Sequence, residues 1–235
     1  MKLFRTLTVT VITIIMALPA FGADSSRPGR GYVAAFIGAS IPADSIISTD
    51  DFSGSRTYRD TAVFDPGLYM GGTAGYDFGF LRMEGEVSYR KSEMQSITDT
   101  ANGSRFRNSD GNLEMTAFMA NAFINLANNS PVIPYLGGGV GFAVLHLSDT
   151  YGTSARSGSN SGSFSRSRLY DDGDDTVFAY QFGGGIEIAI NRRYSLDFGY
   201  RFFKTDPATF NRNTDWVNSL RFESHNALAG FKAKF

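Results

Sequence analysis

The sequence predicts an all-β fold, an eight-stranded antiparallel up-and-down transmembrane β-barrel. Three observations lead there: windows that alternate apolar and polar residues at period two, connections that alternate between long and short, and a C-terminal strand that stops on Phe235. The 235 residues fit a single domain, and the 26 glycines, without a collagen-like period or a proline excess, indicate many strands and turns. The absence of cysteine removes disulfides, thiolate metal sites and a Cys nucleophile. With 22 Lys+Arg against 23 Asp+Glu, the formal charge of -1 supplies no global field for nucleic acid, which is therefore not an expected partner.

The first element is an address. Lys2 and Arg5 precede the apolar run Leu7 to Leu18, and Pro19-Ala20-Phe21-Gly22 closes the segment with small residues where a secretory cleavage site needs them. Residues 1–22 are expected to be a cleaved signal peptide, leaving 23–235 as one barrel domain. The mature part has no apolar run near the ~20 residues of a membrane-spanning helix.

The strands follow in order. Gly31 to Ile41, Leu68 to Phe78, Leu113 to Asn125, Pro134 to His146 and Leu220 to Phe235 are strand-like windows with imperfect alternation. In the first and the fourth strand, Ala34, Ala35, Phe118 and Ala122 blur the alternation, so the facing of these two strands stays open. Leu81 to Arg90 is clearer: Leu81, Met83, Val87 and Tyr89 oppose Arg82, Glu84, Glu86, Ser88 and Arg90. From Thr176 to Ile190, Phe178, Tyr180, Phe182, Ile186 and Ile188 oppose Gln181, Gly183, Gly185 and Glu187. Tyr194, Leu196, Phe198, Tyr200 and Phe202 oppose Ser195, Asp197, Gly199 and Arg201.

The connections separate the two rims. Long ones (about 42–67, 91–112, 147–175 and 204–219) alternate with short ones near 77–80, 126–133 and 191–193. That is the pattern of outer-membrane barrels, whose longer loops are extracellular. Alternation alone fits a soluble barrel equally well, with its apolar face turned inward. Aromatic residues near strand ends, at Tyr89, Tyr135, Tyr194, Phe202, Phe222 and Phe235, favour the membrane, where interfacial girdles would hold them.

The tail Ser224-His225-Asn226-Ala227-Leu228-Ala229-Gly230-Phe231-Lys232-Ala233-Lys234-Phe235 resembles the C-terminal strand of small bacterial outer-membrane β-barrel proteins. Pro134-Tyr135-Leu136-Gly137-Gly138-Gly139-Val140-Gly141 is similar to the fifth-strand segment of the same porin-like, OmpA-type superfamily, which includes opacity proteins and surface antigens. The resemblance covers Gly31 to Phe235. It implies that Phe231, Ala233 and Phe235 form the signal read by the barrel-assembly machinery, with Ala233 departing from the bulky aromatic of many relatives. It also implies an outer-membrane location among lipid and lipopolysaccharide and a surface antigen or adhesin role; in a departure from full-length OmpA, the sequence ends with the barrel, and a following peptidoglycan-binding domain is not expected.

Eight strands enclose little more than side chains, so the interior should be plugged. If the apolar faces meet lipid, Arg82, Glu84, Glu86, Glu187, Asp197 and Arg201 point inward, and ion pairs across the lumen are expected among them. Inward glycines at 137, 139, 141, 183 and 185 would form a wall without bulk beside those long side chains. The first functional alternative is a narrow porin-like channel. A second is a lipid A-modifying enzyme, because His146-Leu147-Ser148 resembles the His-x-Ser element of outer-membrane lipid A deacylases, although spacing alone does not make a triad. No catalytic residue is assigned. Asp171-Asp172-Gly173-Asp174-Asp175 lacks the spacing of a calcium loop, so no metal or other cofactor is expected. Thr153 to Arg168 is Ser/Gly-rich and expected to stay flexible, with Arg156, Arg166 and Arg168 able to meet lipopolysaccharide phosphates or an acidic extracellular ligand. Asp50, Asp51, Arg56 and Arg59 give the first long loop the same possibilities.

Overall fold

A computed structural model describes residues 29–51, 57–99, 105–107, 112–126, 130–147, 150–155, 164–170, 173–210 and 216–235. Eight strands form the wall: β1 Arg30–Pro42, β2 Gly67–Asp77, β3 Leu81–Asp99, β4 Asn112–Asn125, β5 Val132–Leu147, β6 Gly173–Ala189, β7 Tyr194–Thr205 and β8 Glu223–Lys234. Each pairs antiparallel with the next, and β8 returns to β1 with Tyr32 opposite Lys234 and Ser40 opposite Asn226. The sheet is closed, so no edge is left unpaired.

Why the wall faces lipid follows from exposure. Val33, Ile37, Val87, Phe118, Leu136, Val140, Phe142, Phe182, Phe198 and Phe231 all lie open on the outer surface, far more contiguous apolar area than a water-soluble monomer shows. Above this band, the outward positions turn polar in Lys91, Glu114, His146, Asp174, Lys204 and Glu223. On β5 the outward parity from Pro134 to Val144 spans about 25 Å of height, taking ~3.3 Å per residue and a tilt of about 40°, which matches a barrel's apolar belt. Among the described residues, no helix is long and apolar enough to cross a membrane.

The undecided parities resolve. On β1, Tyr32 and Ser40 point inward while Val33, Ile37 and Ile41 point outward; on β4, Leu113, Met115, Ala117, Met119, Asn121, Phe123 and Asn125 point inward. Two assignments to the aromatic girdle are corrected. Tyr135 is 3% exposed and Phe222 1%, so both are interior residues. Tyr135 shares the parity of Gly137 and Gly139, and strand parity prevails over nearness to a strand end.

The long connections hold paired strands. Ser45–Asp51 pairs with Thr57–Phe64, which in turn pairs with the upper part of β3; Arg105–Arg107 pairs with β3 as well. Thr150–Ala155 pairs with Phe164–Tyr170, and Ala208–Phe210 with Trp216–Leu220. Within the segment expected to be flexible, residues 153–155 and 164–168 therefore belong to a hairpin, because ladder bonds satisfy the backbone where composition offers no core. Arg156, Arg56, Asp171 and Asp172 lie outside the described residues.

At the opposite rim the connections are tight. Gly79 adopts a φ of 96° between β2 and β3 and donates its N–H to the Asp77 carboxylate at 3.0 Å, a left-handed turn position suited to glycine. Inward glycines on β5 are covered by β4. A Cβ at Gly137 would meet Phe123, at Gly139 Asn121, and at Gly141 Met119. Gly185 and Gly199 make room for the Tyr135 hydroxyl. The bulk-free wall thus receives side chains of β4 and Tyr135 itself, since neighbours in register reach it before the long arginines and glutamates of β3 and β7.

Candidate functional site

The site is the lumen, and it is built in two halves. In the half near the short turns, inward parity from seven strands collects Tyr32, Arg82, Glu84, Glu86, Asn121, Tyr135, Gln181, Glu187, Asp197, Arg201 and Lys232, all buried. Glu187 is the hub. Its Oε2 accepts from Arg82 Nη1 at 3.1 Å and from Lys232 Nζ at 2.6 Å, while Oε1 lies 2.6 Å from Lys234 Nζ. Lys234 also reaches Asp77 at 3.2 Å, and Lys232 lies 3.5 Å from Asp197. Arg82 Nε stands 3.7 Å from Glu84, which also accepts from the Tyr32 hydroxyl. Asp197 accepts from the Tyr135 hydroxyl at 2.5 Å.

One level deeper the partners are neutral. Glu86 accepts from Asn121 at 3.0 Å, Gln181 at 2.9 Å and Tyr69 at 3.2 Å, and Gln181 also donates to Asn121. Arg201 joins no ion pair among the described residues. Its guanidinium packs 4.5 Å from the Phe123 ring centroid and its Nη1 donates to the Tyr200 carbonyl. So Arg82, Glu84, Glu187 and Asp197 share one connected network, Glu86 occupies a separate amide cluster, and Arg201 stacks on rings.

Sequence reasoning passed over Lys232, Lys234, Asp77, Tyr32, Tyr135, Asn121 and Gln181. The signal for Lys232 was present, since it alternates with Phe231 and Ala233 on the last strand. β6 and β8 flank β7, and across that one strand Lys232 reaches Glu187, 45 residues away.

The other half of the lumen is apolar on the side of β4 to β7, while Ser40, Ser92, Thr205, Ser224 and Asn226 are buried there from β1, β3, β7 and β8. Leu113, Met115, Ala117, Met119, Ala143, Leu145, Val177, Ala179 and Phe203 project inward from β4 to β7 and pack with Phe64, Ala208, Leu220 and Phe222 from the connections. The Thr209 N–H donates to the Asp175 carboxylate at 2.7 Å, tying the Ala208–Phe210 strand to β6. Arg90 marks the junction of the halves. It is 1% exposed, lies 4.4 Å from the Tyr69 ring and 4.0 Å from the Phe203 ring, and donates to Ser88 at 3.1 Å.

Outside the wall, His146 Nδ1 and Asp174 Oδ1 are 2.6 Å apart, both exposed, at the level where the outer surface turns polar. Ser148 lies outside the described residues. Among the described residues, no His, Asp or Glu cluster could hold a metal ion. Of the expected assembly signal, Phe231 and Phe235 are exposed on the outer face and Ala233 is half-buried between them.

A closed sheet with an apolar exterior and a filled, partly charged interior is an inside-out protein, and the comparison with protein families gives it a place. Residues 9–235 match the family described as outer membrane protein beta-barrel domain. The chain belongs to this family. No curated protein matches it. Among solved structures, this outer-membrane barrel is similar to the outer membrane protein OprG from Pseudomonas aeruginosa, with a TM-score of 0.56 and 14% identity over 89% of this chain and 97% of that one. It is similar to the outer membrane protease OmpT from Escherichia coli, with a TM-score of 0.53 and 10% identity over 92% and 99%. Neisserial surface protein A (NspA) gives a TM-score of 0.48 at 20% identity, over 89% of this chain and 100% of that chain. At such identities the likeness concerns the fold.

Proposed function

We propose that this outer-membrane barrel is a surface-display protein of adhesin or antigen type. The N-terminal segment 1–22 directs its export, the barrel-assembly machinery reads Phe231, Ala233 and Phe235, lipopolysaccharide surrounds it, and the long connections face the exterior. The observation that carries the reading is the filled lumen: a charged network occupies one half and a packed apolar cluster much of the other, leaving the rims to contact other molecules. Strand pairs within the long connections support it, because they offer a structured platform beyond the apolar belt.

Protease shaving of intact cells carrying an epitope tag near Ser159, with a periplasmic marker as leakage control, tests the orientation. The expected result is loss of the tag with the marker intact. Protection until lysis would overturn it. Planar-bilayer recording should show no steady conductance; a reproducible unitary current would replace this reading with a narrow channel.

A second reading, catalytic, has one observation in its favour, the 2.6 Å His146–Asp174 contact on the outer surface above the apolar belt. An acid on Nδ1 orients an imidazole toward a nucleophile, and in sequence Ser148 follows His146 by two positions. Lipid A mass profiles unchanged by His146→Ala and Ser148→Ala would remove it.

A further inference from the structure

Where the outer surface turns polar, β7 and β8 present a compact outward patch. Lys204 stands opposite Glu223 and, two residues nearer the apolar belt, Phe202 stands opposite His225. These four form a two-by-two grid, in which opposed side chains start about 5 Å apart and diagonal ones about 7–8 Å apart. Lys204 Nζ reaches Glu223 Oε2 at 2.8 Å, and the Phe202 and His225 ring centroids are 5.4 Å apart. Two neighbours brace the grid. Phe182 packs on Phe202 from β6 with centroids 4.8 Å apart, and the Tyr200 hydroxyl lies 2.6 Å from His225 Nδ1.

Each corner asks for a different part of a ligand. His225 is exposed beside the apolar belt, and among the described residues its second ring nitrogen has no partner. Hydrocarbon cannot satisfy an imidazole N–H, so the ring favours an acceptor brought by a headgroup. Lys204 sits diagonally next to it, and an ammonium and an imidazole N–H at that spacing suit a phosphate. Phe202 offers a flat face against which the C–H side of a sugar ring packs, and the Glu223 carboxylate accepts from a sugar hydroxyl. A glycerophospholipid headgroup brings the phosphate without the ring. The matching grid on β3 and β4 has the same charged pair, Lys91 and Glu114, above Tyr89 and Thr116, and so lacks the imidazole.

We propose that the β7–β8 grid binds the phosphorylated glucosamine of a lipopolysaccharide headgroup. Lys204 and His225 hold a phosphate, Phe202 packs against the sugar ring and Glu223 accepts from a hydroxyl. Because the grid borders the apolar belt, its occupant is the membrane's own lipid. The inference rests on the orientation proposed above, which brings this end of the wall to the outer leaflet.

The full-length protein in phosphatidylcholine nanodiscs is titrated with lipid A. Lipid A reaches both leaflets, so this assay reads the site alone, and protease shaving reads the orientation alone. Two quantities are followed, the imidazole nitrogen resonances of His225 and the lipid A retained per barrel. Saturable shifts and one retained lipid A are expected. The Lys204→Gln, His225→Gln double variant should bind about tenfold more weakly, having lost both phosphate donors. Phe202→Leu, which keeps apolar bulk without the flat ring, should also bind more weakly, and Lys91→Gln should bind as the wild type does. All these positions face outward, so urea unfolding should show each variant folded. Shifts that grow without saturating, undiminished binding by the double variant, an equal loss in Lys91→Gln, or phosphatidylglycerol competing as well as lipid A would each overturn the proposal.

Discussion

The two halves of the lumen solve one problem by opposite means. Near the short turns, Arg82, Lys232, Lys234, Glu84, Glu187, Asp197 and Asp77 fill the space with charge, and every pair depends on direction and distance. Near the long connections, Met115, Leu145, Val177, Phe203 and Phe222 fill the β4–β7 side with hydrocarbon, where contacts are non-directional and a neighbour can settle into a gap. The polar half should thus tolerate loss of one partner far less than its contact area suggests. The apolar half should lose stability in proportion to the volume removed.

Glu187→Gln breaks the comparison hardest. It withdraws the shared charge from Arg82, Lys232 and Lys234, of which Arg82 and Lys232 are about 1% exposed. Removing one member of a buried pair typically destabilises by about 3–5 kcal/mol. Urea unfolding in lipid vesicles should show a drop of that size, and adding Lys232→Met should restore part of it by removing one stranded cation. A double variant no more stable than the single one would mean that Lys232 contributes nothing through its charge.

Leu145→Ala probes the other half. Leu145 is fully buried in the apolar cluster, and truncation removes transfer energy and opens a cavity, about 3 kcal/mol together. Leu145→Met, close in volume, should recover most of it in the same unfolding assay, while Glu187→Asp, which keeps charge but shortens reach, should not recover Glu187. Equal recovery by both conservative variants would erase the distinction between directional and packed filling.

How legible each half was in the sequence follows from the same contrast. The barrel, its eight strands and the facing of β3, β6 and β7 could be read because charged residues alternate strictly with apolar ones, as in Arg82 to Arg90 and Tyr194 to Phe202. The identity of partners could not. Parity says that Arg82 and Glu187 both point inward, yet only the tilt and register of a closed sheet decide that Lys232 and Lys234 also converge on Glu187, or that Arg201 stacks on Phe123. The apolar half was missed for a different reason. Where both faces of a strand are apolar, as in Val140 to Leu145 or Leu113 to Phe123, period two disappears, and the blurred alternation of β4 was itself the trace of an apolar interior. Phe64 and Phe222 join the cluster from connections, which no periodicity covers.

The smallest expected effect is the sharpest control, because it uses the same chemistry as Glu187 in a different setting. Lys91 and Glu114 lie 3.3 Å apart on the outer face with side chains 41% and 37% exposed, opposite each other on β3 and β4. Water and counterions screen this pair and both side chains lose freedom in making it, so Lys91→Gln should change stability by less than about 1 kcal/mol. Raising the salt concentration should shrink even that difference, while leaving the Glu187→Gln effect nearly intact, because ions do not reach Glu187, Arg82 and Lys232, all buried. A double-mutant cycle on Lys91 and Glu114 set beside one on Lys232 and Glu187 measures the two couplings directly. Similar couplings, equally sensitive to salt, would mean that the charged half of the lumen is as wet as the surface, and a continuous water path through the barrel would have to replace the plug.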